Sequence, residues 1–134
     1  MAIDYGQKRV GLAVTDPLKM IAGGLTTVKT HEIFIFLDNY FASEDVEQVV
    51  LGYPRKLNNQ DSEALRYVKQ FEKGFRRRYP ELEMVYEDER FTSVLAQRAM
   101  IEGGMKKKYR QNKENTDKIS AAIILQSYMD RINI

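Results

Sequence analysis

The 134-residue chain contains no cysteine and a single histidine, His31. The absence of cysteine excludes disulfide bonds, thiolate zinc sites and cysteine nucleophiles. One histidine cannot build a multi-histidine metal centre, so carboxylates are the ligands left for any metal ion. Because His31 stands at a predicted helix start, far in sequence from the candidate acids, we expect a cap-region role rather than a catalytic base.

Long apolar runs and a strong net charge are also missing. We find no stretch long enough for a transmembrane helix and no secretory or lipidation motif. With 43% hydrophobic residues, 30% charged residues and a formal net charge of +2, the composition is that of an ordinary globular protein. We therefore expect one domain over residues 1–134, a cytoplasmic location and no membrane partner.

Hydrophobic periodicity predicts an α/β fold. Three short strands open the chain, and later strands separated by helices require parallel pairing. The expected architecture is a mixed five-stranded sheet of three leading antiparallel strands and later parallel strands, flanked by helices. Gly23-Gly24 predicts a bulge or bend in the third strand. The predicted order is βββαβαβαα, with strands near 1–5, 8–15, 21–28, 46–51 and 82–86, and helices that begin near residues 30, 61, 92 and 116.

Apolar side chains at helical spacing predict which helix faces are buried. The first helix has such a face, the second has another ahead of Tyr79-Pro80, and the third is expected to stop at Gly103-Gly104. For the last helix we expect a stripe that docks on the sheet. The predicted core positions are Ile33, Phe36, Leu37, Tyr40 and Phe41; then Leu65, Val68, Phe71 and Phe75; and finally Ile119, Ala122, Ile123, Gln126 and Met129.

Acidic residues fall at three places where an α/β sheet gathers its ligands. Asp4 ends the first strand, the cluster Glu87-Asp88-Glu89 ends the last strand, and Asp117 is expected in the first turn of the last helix. Converging carboxylates suit Mg²⁺ or Mn²⁺. Two such ions, held ~3.5–4 Å apart, activate a water and stabilise the leaving oxygen of a phosphodiester. The pattern therefore predicts phosphoryl transfer to water.

Each acid also has a purely structural interpretation. Asp4 can cap a turn, the acidic cluster can be a solvated loop, and Asp117 can complement the helix dipole. The convergence of all three is what favours a metal site. The residues alone do not separate Glu87, Asp88 and Glu89 as the ligand.

The opening run Asp4-Tyr5-Gly6-Gln7-Lys8-Arg9-Val10-Gly11-Leu12-Ala13-Val14-Thr15-Asp16 resembles the signature of the YqgF family. These are RNase H-like proteins described as Holliday junction resolvases or pre-16S rRNA nucleases. Leu51-Gly52-Tyr53-Pro54 is similar to the family's Gly-x-Pro strand end, and Asp88-Glu89-Arg90 to its Asp-Glu-Arg motif. Asp117-Lys118-Ile119-Ser120-Ala121-Ala122 resembles the closing motif. The match runs in the right order across nearly the whole chain.

The resemblance implies an RNase H-like fold and a hydrolase that is a metal-dependent nuclease. Its catalytic and metal-binding residues would be Asp4, Glu89 and Asp117, holding Mg²⁺ or Mn²⁺, with two ions expected. Glu89 is preferred over its acidic neighbours because it fills the family's motif position. Arg90 would contact phosphate or hold a neighbouring acid. Asp16, although part of the opening motif, is expected to serve the turn.

Basic residues are concentrated beside the candidate acids. A run from Lys106 to Lys118 precedes and flanks Asp117, and Tyr109 within it can stack on an unpaired base. Such charges neutralise phosphates, whereas Arg76–Arg78 at a helix end is expected to be a solvated face. The residues expected to bind nucleic acid are Lys8, Arg9, Arg90, Lys106, Lys107, Lys108, Arg110, Lys113 and Lys118.

Three functions stay open from the sequence. The favoured one is cleavage of structured nucleic acid, as 5′-end maturation of precursor 16S rRNA in ribosome biogenesis or, alternatively, Holliday junction resolution. The second is a non-catalytic nucleic-acid-binding module on the same fold. The third is an actin-like or sugar-kinase ATPase, which the length disfavours because that fold needs two such domains. We expect a nucleic-acid partner and a monomer or weak homodimer.

Overall fold

The computed structural model describes residues 1–18, 21–54, 63–88 and 113–132, with side chains of the last range from Asp117 onward. Within these ranges the chain forms a five-stranded mixed sheet flanked by helices, so the predicted fold class is confirmed. The elements are β1 (Ala2–Tyr5), β2 (Arg9–Thr15), β3 (Ala22–Lys29), a short 3-10 helix (Thr30–Glu32), α1 (Ile33–Ser43), β4 (Gln48–Tyr53), α2 (Glu63–Arg78), β5 (Glu83–Asp88) and α3 (Lys113–Ile132).

The strand order β3-β2-β1-β4-β5 places β1 at the centre of the sheet. β1 pairs antiparallel with β2 and parallel with β4, and β4 pairs parallel with β5. The parallel pairs require the chain to return across the sheet between strands, which α1 does before β4 and α2 before β5. The carboxyl ends of β1, β4 and β5 therefore lie along one edge of the sheet.

Side chains alternate between the two faces of β1 and decide which helix each face meets. Ile3 belongs to a core shared with α1 and α2, whereas Ala2 belongs to a second core shared with α3. By this alternation Asp4 lies on the same face as Ala2, the face that α3 covers. The predicted positions of α1 and α2 are confirmed, since all of them lie in the first core or pack against it: Ile33, Phe36, Leu37, Tyr40, Phe41, Leu65, Val68, Phe71 and Phe75.

The bulge predicted for the third strand is present. Leu12 pairs with Thr26 and Ala13 pairs with Gly24, so Leu25 has no partner across the ladder. One extra residue of this kind bends and twists the strand locally.

The last helix corrects two predictions. α3 begins at Lys113, so Asp117 lies in the second turn and the expected place in the first turn was wrong. No glycine or proline stands between Lys113 and Asp117 to stop the helix from extending towards its N-terminus. Complementing the helix dipole therefore does not explain this aspartate, because that effect falls off within the first turn.

The buried face of α3 is also rotated from the predicted one. Of the predicted stripe only Met129 is fully buried, and Ala122 packs partly buried against the core. The helix carries apolar residues on several of its sides, so periodicity alone could not decide which side contacts the sheet. The buried positions of α3 are Ala121, Ile124, Leu125, Tyr128 and Met129.

The boundaries of two strands and one helix also bear on the predictions. β4 begins two residues later than predicted, at Gln48, and runs through Gly52 to Tyr53. β5 runs on to Asp88, so Glu87 and Asp88 are strand residues and not part of a loop after the strand. The helix predicted to begin near residue 92 lies outside the described residues.

Candidate metal and nucleic-acid site

A tight hairpin after β1 fixes the position of Asp4. The Gly6 amide donates to the Arg9 carbonyl at 2.9 Å, and a Cβ on Gly6 would lie 2.6 Å from that same oxygen. Thr30 braces the turn from outside, because its hydroxyl donates to the Gly6 carbonyl at 2.7 Å and its amide donates to the Lys8 carbonyl at 3.1 Å. Asp4 is thus held on a strand whose following turn cannot easily move.

Gly11 lies beside Asp4 in the sheet and is in contact with the last helix. Asp4 and Gly11 are direct partners across the β1–β2 ladder, on the face that α3 covers. A Cβ on Gly11 would lie 2.2 Å from the Asp117 carbonyl oxygen and 3.1 Å from the Asp117 Cβ. The helix therefore lies directly on the strand at this point, which only glycine permits. Two of the three predicted metal-binding acids are therefore neighbours of this one residue.

Arg9 is paired with one of these acids. Its Nε donates to Oδ2 of Asp117 at 3.0 Å, across 108 residues of sequence. The side chains are 33% and 25% exposed, so the pair is partly withdrawn from water. Arg9 was predicted as a nucleic-acid contact, and the structure adds a carboxylate partner to that prediction.

Both carboxylate oxygens of Glu87 accept hydrogen bonds from the far end of α3. Glu87 is 7% exposed, the one buried charged side chain among the described residues. One carboxylate oxygen accepts from the Ser127 hydroxyl at 2.7 Å, and the other accepts from Nε and Nη2 of Arg131 at 3.1 and 2.7 Å. These partners sit ten and fourteen residues after Asp117 on α3, about 15 and 21 Å along the helix. Glu87 therefore fastens β5 to the far end of α3.

The sequence did not reveal this role of Glu87. The residues alone left all three acids of the cluster open as ligands, and the family resemblance favoured Glu89. Alternation along β5 offered a signal, because Glu87 shares a face with Val85, which packs against the α3 core. Asp88 ends β5 opposite Tyr53, at the carboxyl edge of the sheet. Of the three, Glu89 lies outside the described residues.

The remaining predicted nucleic-acid contacts divide into two groups. Lys8 is exposed at the hairpin, and Lys118 packs its backbone and Cβ against β3, 3.2 Å from where a Cβ on Gly24 would lie. Lys113 begins α3, but its side chain is not described. The positions outside the described residues are Arg90, Lys106, Lys107, Lys108 and Arg110, together with Tyr109.

Asp16 and His31, neither of which was expected to take part in catalysis, differ in their contacts. The Ile21 amide donates to Oδ1 of Asp16 at 2.8 Å, and the Asp16 amide donates to the Ile21 carbonyl at 3.1 Å, so Asp16 closes the β2–β3 turn as predicted. His31 lies in the short 3-10 helix, exposed, with its Nε2 3.7 Å from a carboxylate oxygen of Glu32.

Comparison with known proteins decides the family. Residues 1–131 match the model of the RuvX family, described as Holliday junction resolvase. The chain belongs to the RuvX family. The resemblance to the YqgF family, another name for this group, is thereby confirmed, and with it the expectation of a nuclease-family hydrolase of RNase H-like fold.

Relatives of this RuvX-family chain share about half of its residues and align along almost its whole length. A protein of Bacteroides thetaiotaomicron named "Putative pre-16S rRNA nuclease" is 53% identical over 130 residues, 97% of this chain and 94% of the relative. Proteins of the same name from Porphyromonas gingivalis and Flavobacterium johnsoniae are 52% and 47% identical. Each alignment covers at least 96% of this chain, and the Flavobacterium alignment covers 94% of that relative.

Within the described ranges of this RuvX-family chain, no helix is long and apolar enough to cross a membrane. The same ranges bring no three His, Asp or Glu side chains together as a metal set. Asp4 and Asp117, the two described acids of the predicted set, both lie next to Gly11, and the third predicted acid, Glu89, follows directly after the described part of β5. A set made only of carboxylates fits Mg²⁺ or Mn²⁺ and does not fit a soft metal.

Proposed function

We propose that this protein is a metal-dependent nuclease that hydrolyses phosphodiester bonds in structured RNA. Its reaction would be 5′-end maturation of precursor 16S rRNA, in the cytoplasm, by a monomer or weak homodimer. The observation that carries the proposal is the contact at Gly11, where Asp117 on α3 is seated against the strand pair that holds Asp4. Two acids 113 residues apart in sequence are brought together in this way by a glycine that leaves no room for a side chain.

Asp4, Asp117 and Glu89 would hold Mg²⁺ or Mn²⁺, with two ions in the full site. When bound, such ions lower the pKa of a coordinated water and neutralise charge that develops on the phosphate. The chain itself contributes rigidity: the braced hairpin holds Asp4, and the ion pair with Arg9 orients Asp117. Rigid ligands matter because Mg²⁺ demands nearly ideal octahedral geometry.

The substrate would be held by its backbone. Arg9 contacts Asp117, Lys8 and Lys118 are adjacent to these two residues in sequence, and the basic residues predicted in 90–113 would extend this positive surface. Contacts with phosphate carry little sequence information, so we expect binding that is weakly sequence-specific and strongly reduced by salt.

The names of the relatives favour RNA over DNA as the substrate. A second candidate, resolution of a four-way DNA junction, is favoured by the description of the matching family. Cutting a symmetric junction requires two active sites, so this candidate needs the homodimer.

The test is metal-dependent cleavage of two substrates, a precursor 16S rRNA fragment and a four-way DNA junction, in Mg²⁺ and in Mn²⁺. Asp4→Asn, Glu89→Gln and Asp117→Asn should each reduce cleavage by roughly 100-fold or more, the scale seen when a charge-stabilising group is removed from an active site. Asp45→Asn is the matched control, because Asp45 is exposed ahead of β4, at the opposite edge of the sheet.

Each outcome of this test assigns a function. Cleavage of one substrate, abolished by EDTA and by each of the three substitutions but not by the control, supports the nuclease and identifies its target. Substrates that stay intact while all variants bind them as wild type does would contradict the nuclease. That result would identify a binding module on this fold.

A further inference from the structure

A cleft of about 700 Å³ opens beside the acid pair, where the β1–β2 hairpin meets the end of β3. We propose that this cleft binds the sugar–phosphate backbone of the substrate strand next to the bond that is cut, with Lys29 and His31 as binding residues. The inference rests on the proposed nuclease function and extends it to residues outside the family motifs. The cleft is lined by Tyr5, Gln7, Lys8, Arg9, Lys29, Thr30 and His31.

The chemistry of the lining fits a polyanion. Lys8 and Lys29 are exposed, Arg9 is one-third exposed, and none of the seven lining residues is acidic. Gln7, Thr30 and His31 add polar, hydrogen-bonding groups. A pocket for a small organic molecule is instead mostly apolar, with a few polar groups. An open cleft with a basic and polar wall suits an extended strand.

The two sides of the cleft are fixed to each other before any ligand binds. Arg9 pairs with Lys29 across the β2–β3 ladder. Thr30, directly after Lys29, makes both of the hydrogen bonds that brace the hairpin, to the carbonyls of Gly6 and Lys8. A surface that is already ordered loses less conformational entropy on binding than a flexible one, so modest contacts yield more affinity.

The cleft is connected to Asp117 through Arg9. Arg9 lines the cleft while its guanidinium contacts Asp117, so one side chain spans the two regions. The Tyr5 ring lines the cleft from the other face of the sheet, where it is stacked on Phe71 at 4.5 Å between centroids and is thereby fixed.

The test is binding of short single-stranded RNA and DNA of the same sequence, labelled with fluorescein and followed by anisotropy in EDTA so that no cleavage occurs. The variants are Lys29→Gln and the double variant Lys29→Gln/His31→Gln. Arg77→Gln is the matched control, since it also removes one exposed cation, at the end of α2 on the opposite edge of the sheet. The salt dependence of each affinity is recorded, and amide NMR spectra are compared with and without RNA.

We expect Lys29→Gln to weaken binding about fivefold, the double variant to weaken it further, and the salt slope to fall by about 0.7 for each lost phosphate contact. The control should stay within about twofold, and RNA should shift the amide signals of Gln7, Lys8, Lys29 and His31. A larger loss for RNA than for DNA would identify RNA as the strand in the cleft, and equal losses would show that only the shared backbone is recognised. Both results support the inference.

Two results would overturn it, and they are distinguishable. If wild type and both cleft variants bind equally well and the four amide signals do not shift, the cleft is not a strand site, while the proposed nuclease stands. If wild type binds neither the RNA nor the DNA strand, the inference fails, and the cleavage test on the structured substrates decides separately whether the proposed function fails with it.

Discussion

The Nε of Arg9 lies 3.0 Å from Oδ2 of Asp117 and joins the start of β2 to the second turn of α3. The opening and closing motifs of the chain therefore meet in one ion pair. Lysine cannot reproduce this interaction fully, because only the guanidinium offers planar donors in a fixed arrangement. Arg9 acts on the site as a positioning residue for Asp117, in addition to any contact with substrate.

Substituting Arg9 distinguishes its role in orienting Asp117 from its contribution to the stability of the fold. Arg9→Gln should lower the free energy of unfolding by at most about 1 kcal/mol, as expected for a partly exposed ion pair. Cleavage should fall much more, because Asp117 loses the partner that orients it. Urea unfolding and single-turnover cleavage measure the two effects, and Arg9→Lys should restore stability better than it restores cleavage. Full single-turnover cleavage in Arg9→Gln would contradict the positioning role.

The Gly11 contact gives a prediction with a matched control on the neighbouring strand. Gly11→Ala should destabilise the fold by about 2–3 kcal/mol, because its Cβ would lie 2.2 Å from the Asp117 carbonyl oxygen and α3 would have to lift from β2. Gly23→Ala, whose Cβ would meet nothing within 4 Å, should be close to neutral. Both are measured by urea unfolding, with cleavage expected to fall only in the first. Equal effects of the two substitutions would mean that the close approach at Gly11 does not matter.

Glu87 and Glu89 should respond in opposite ways to loss of charge. Glu87→Gln should cost about 2 kcal/mol of stability, since the carboxylate accepts bonds from Ser127 and Arg131, and should leave cleavage largely intact. Glu89→Gln should abolish cleavage with little change in stability. Thermal unfolding and cleavage assays on both variants make the comparison. The assignment of the metal-binding acid would be wrong if the two variants exchanged these results.

A pH effect is expected at a cluster far from the site. The Arg78 guanidinium, 2.9 Å from Asp38, lowers the pKa of that carboxyl below its ordinary value of 3.8, and the Tyr79 hydroxyl, 2.5 Å away, lowers it further. Because the folded pKa is the lower one, this pairing stabilises the fold above pH 3.8 and the contribution is lost as the pH falls further. The pKa of Tyr79 is raised, mainly by burial and then by Asp38, so its hydroxyl keeps its proton through this range.

Arg78→Gln should therefore raise the pKa of Asp38 towards 3.8, measured by carbon NMR titration of the carboxyl group. The stability difference between this variant and wild type should shrink as the pH is lowered below that value. Arg77→Gln, at the neighbouring exposed arginine, serves as the control and should leave the titration unchanged. A pKa of Asp38 that does not move in Arg78→Gln would refute this account of the cluster.

The sequence predicts the orientation of a helix only when one face of that helix is clearly apolar and the opposite face is charged. α2 was placed correctly because Leu65, Val68, Phe71 and Phe75 stand out from a charged outer face. α3 was rotated wrongly because its apolar residues point in several directions. Only the shape of the sheet, including the gap over Gly11, selects the side of α3 that docks.

The candidate site was likewise predictable from the sequence only in part. Asp4 and Asp117 could be chosen from the sequence because each belongs to a recognisable motif. The ion pairs that decide the roles of Arg9 and Glu87 join residues 108 and 44 positions apart, and no local pattern encodes them. The cleft could not be predicted from the sequence either, because its wall combines a hairpin with the end of a strand that pairs with it only in the folded chain.

We propose above all that Asp4 and Asp117 form one divalent-metal site around Gly11. Titration of the folded protein with Mn²⁺, followed by amide NMR, tests it most directly because a paramagnetic ion broadens nearby signals first. We expect early loss of the signals of Asp4, Gly11 and Asp117, and no such loss in Asp4→Asn or Asp117→Asn. Early broadening elsewhere on the protein, or unchanged broadening in both variants, would contradict it.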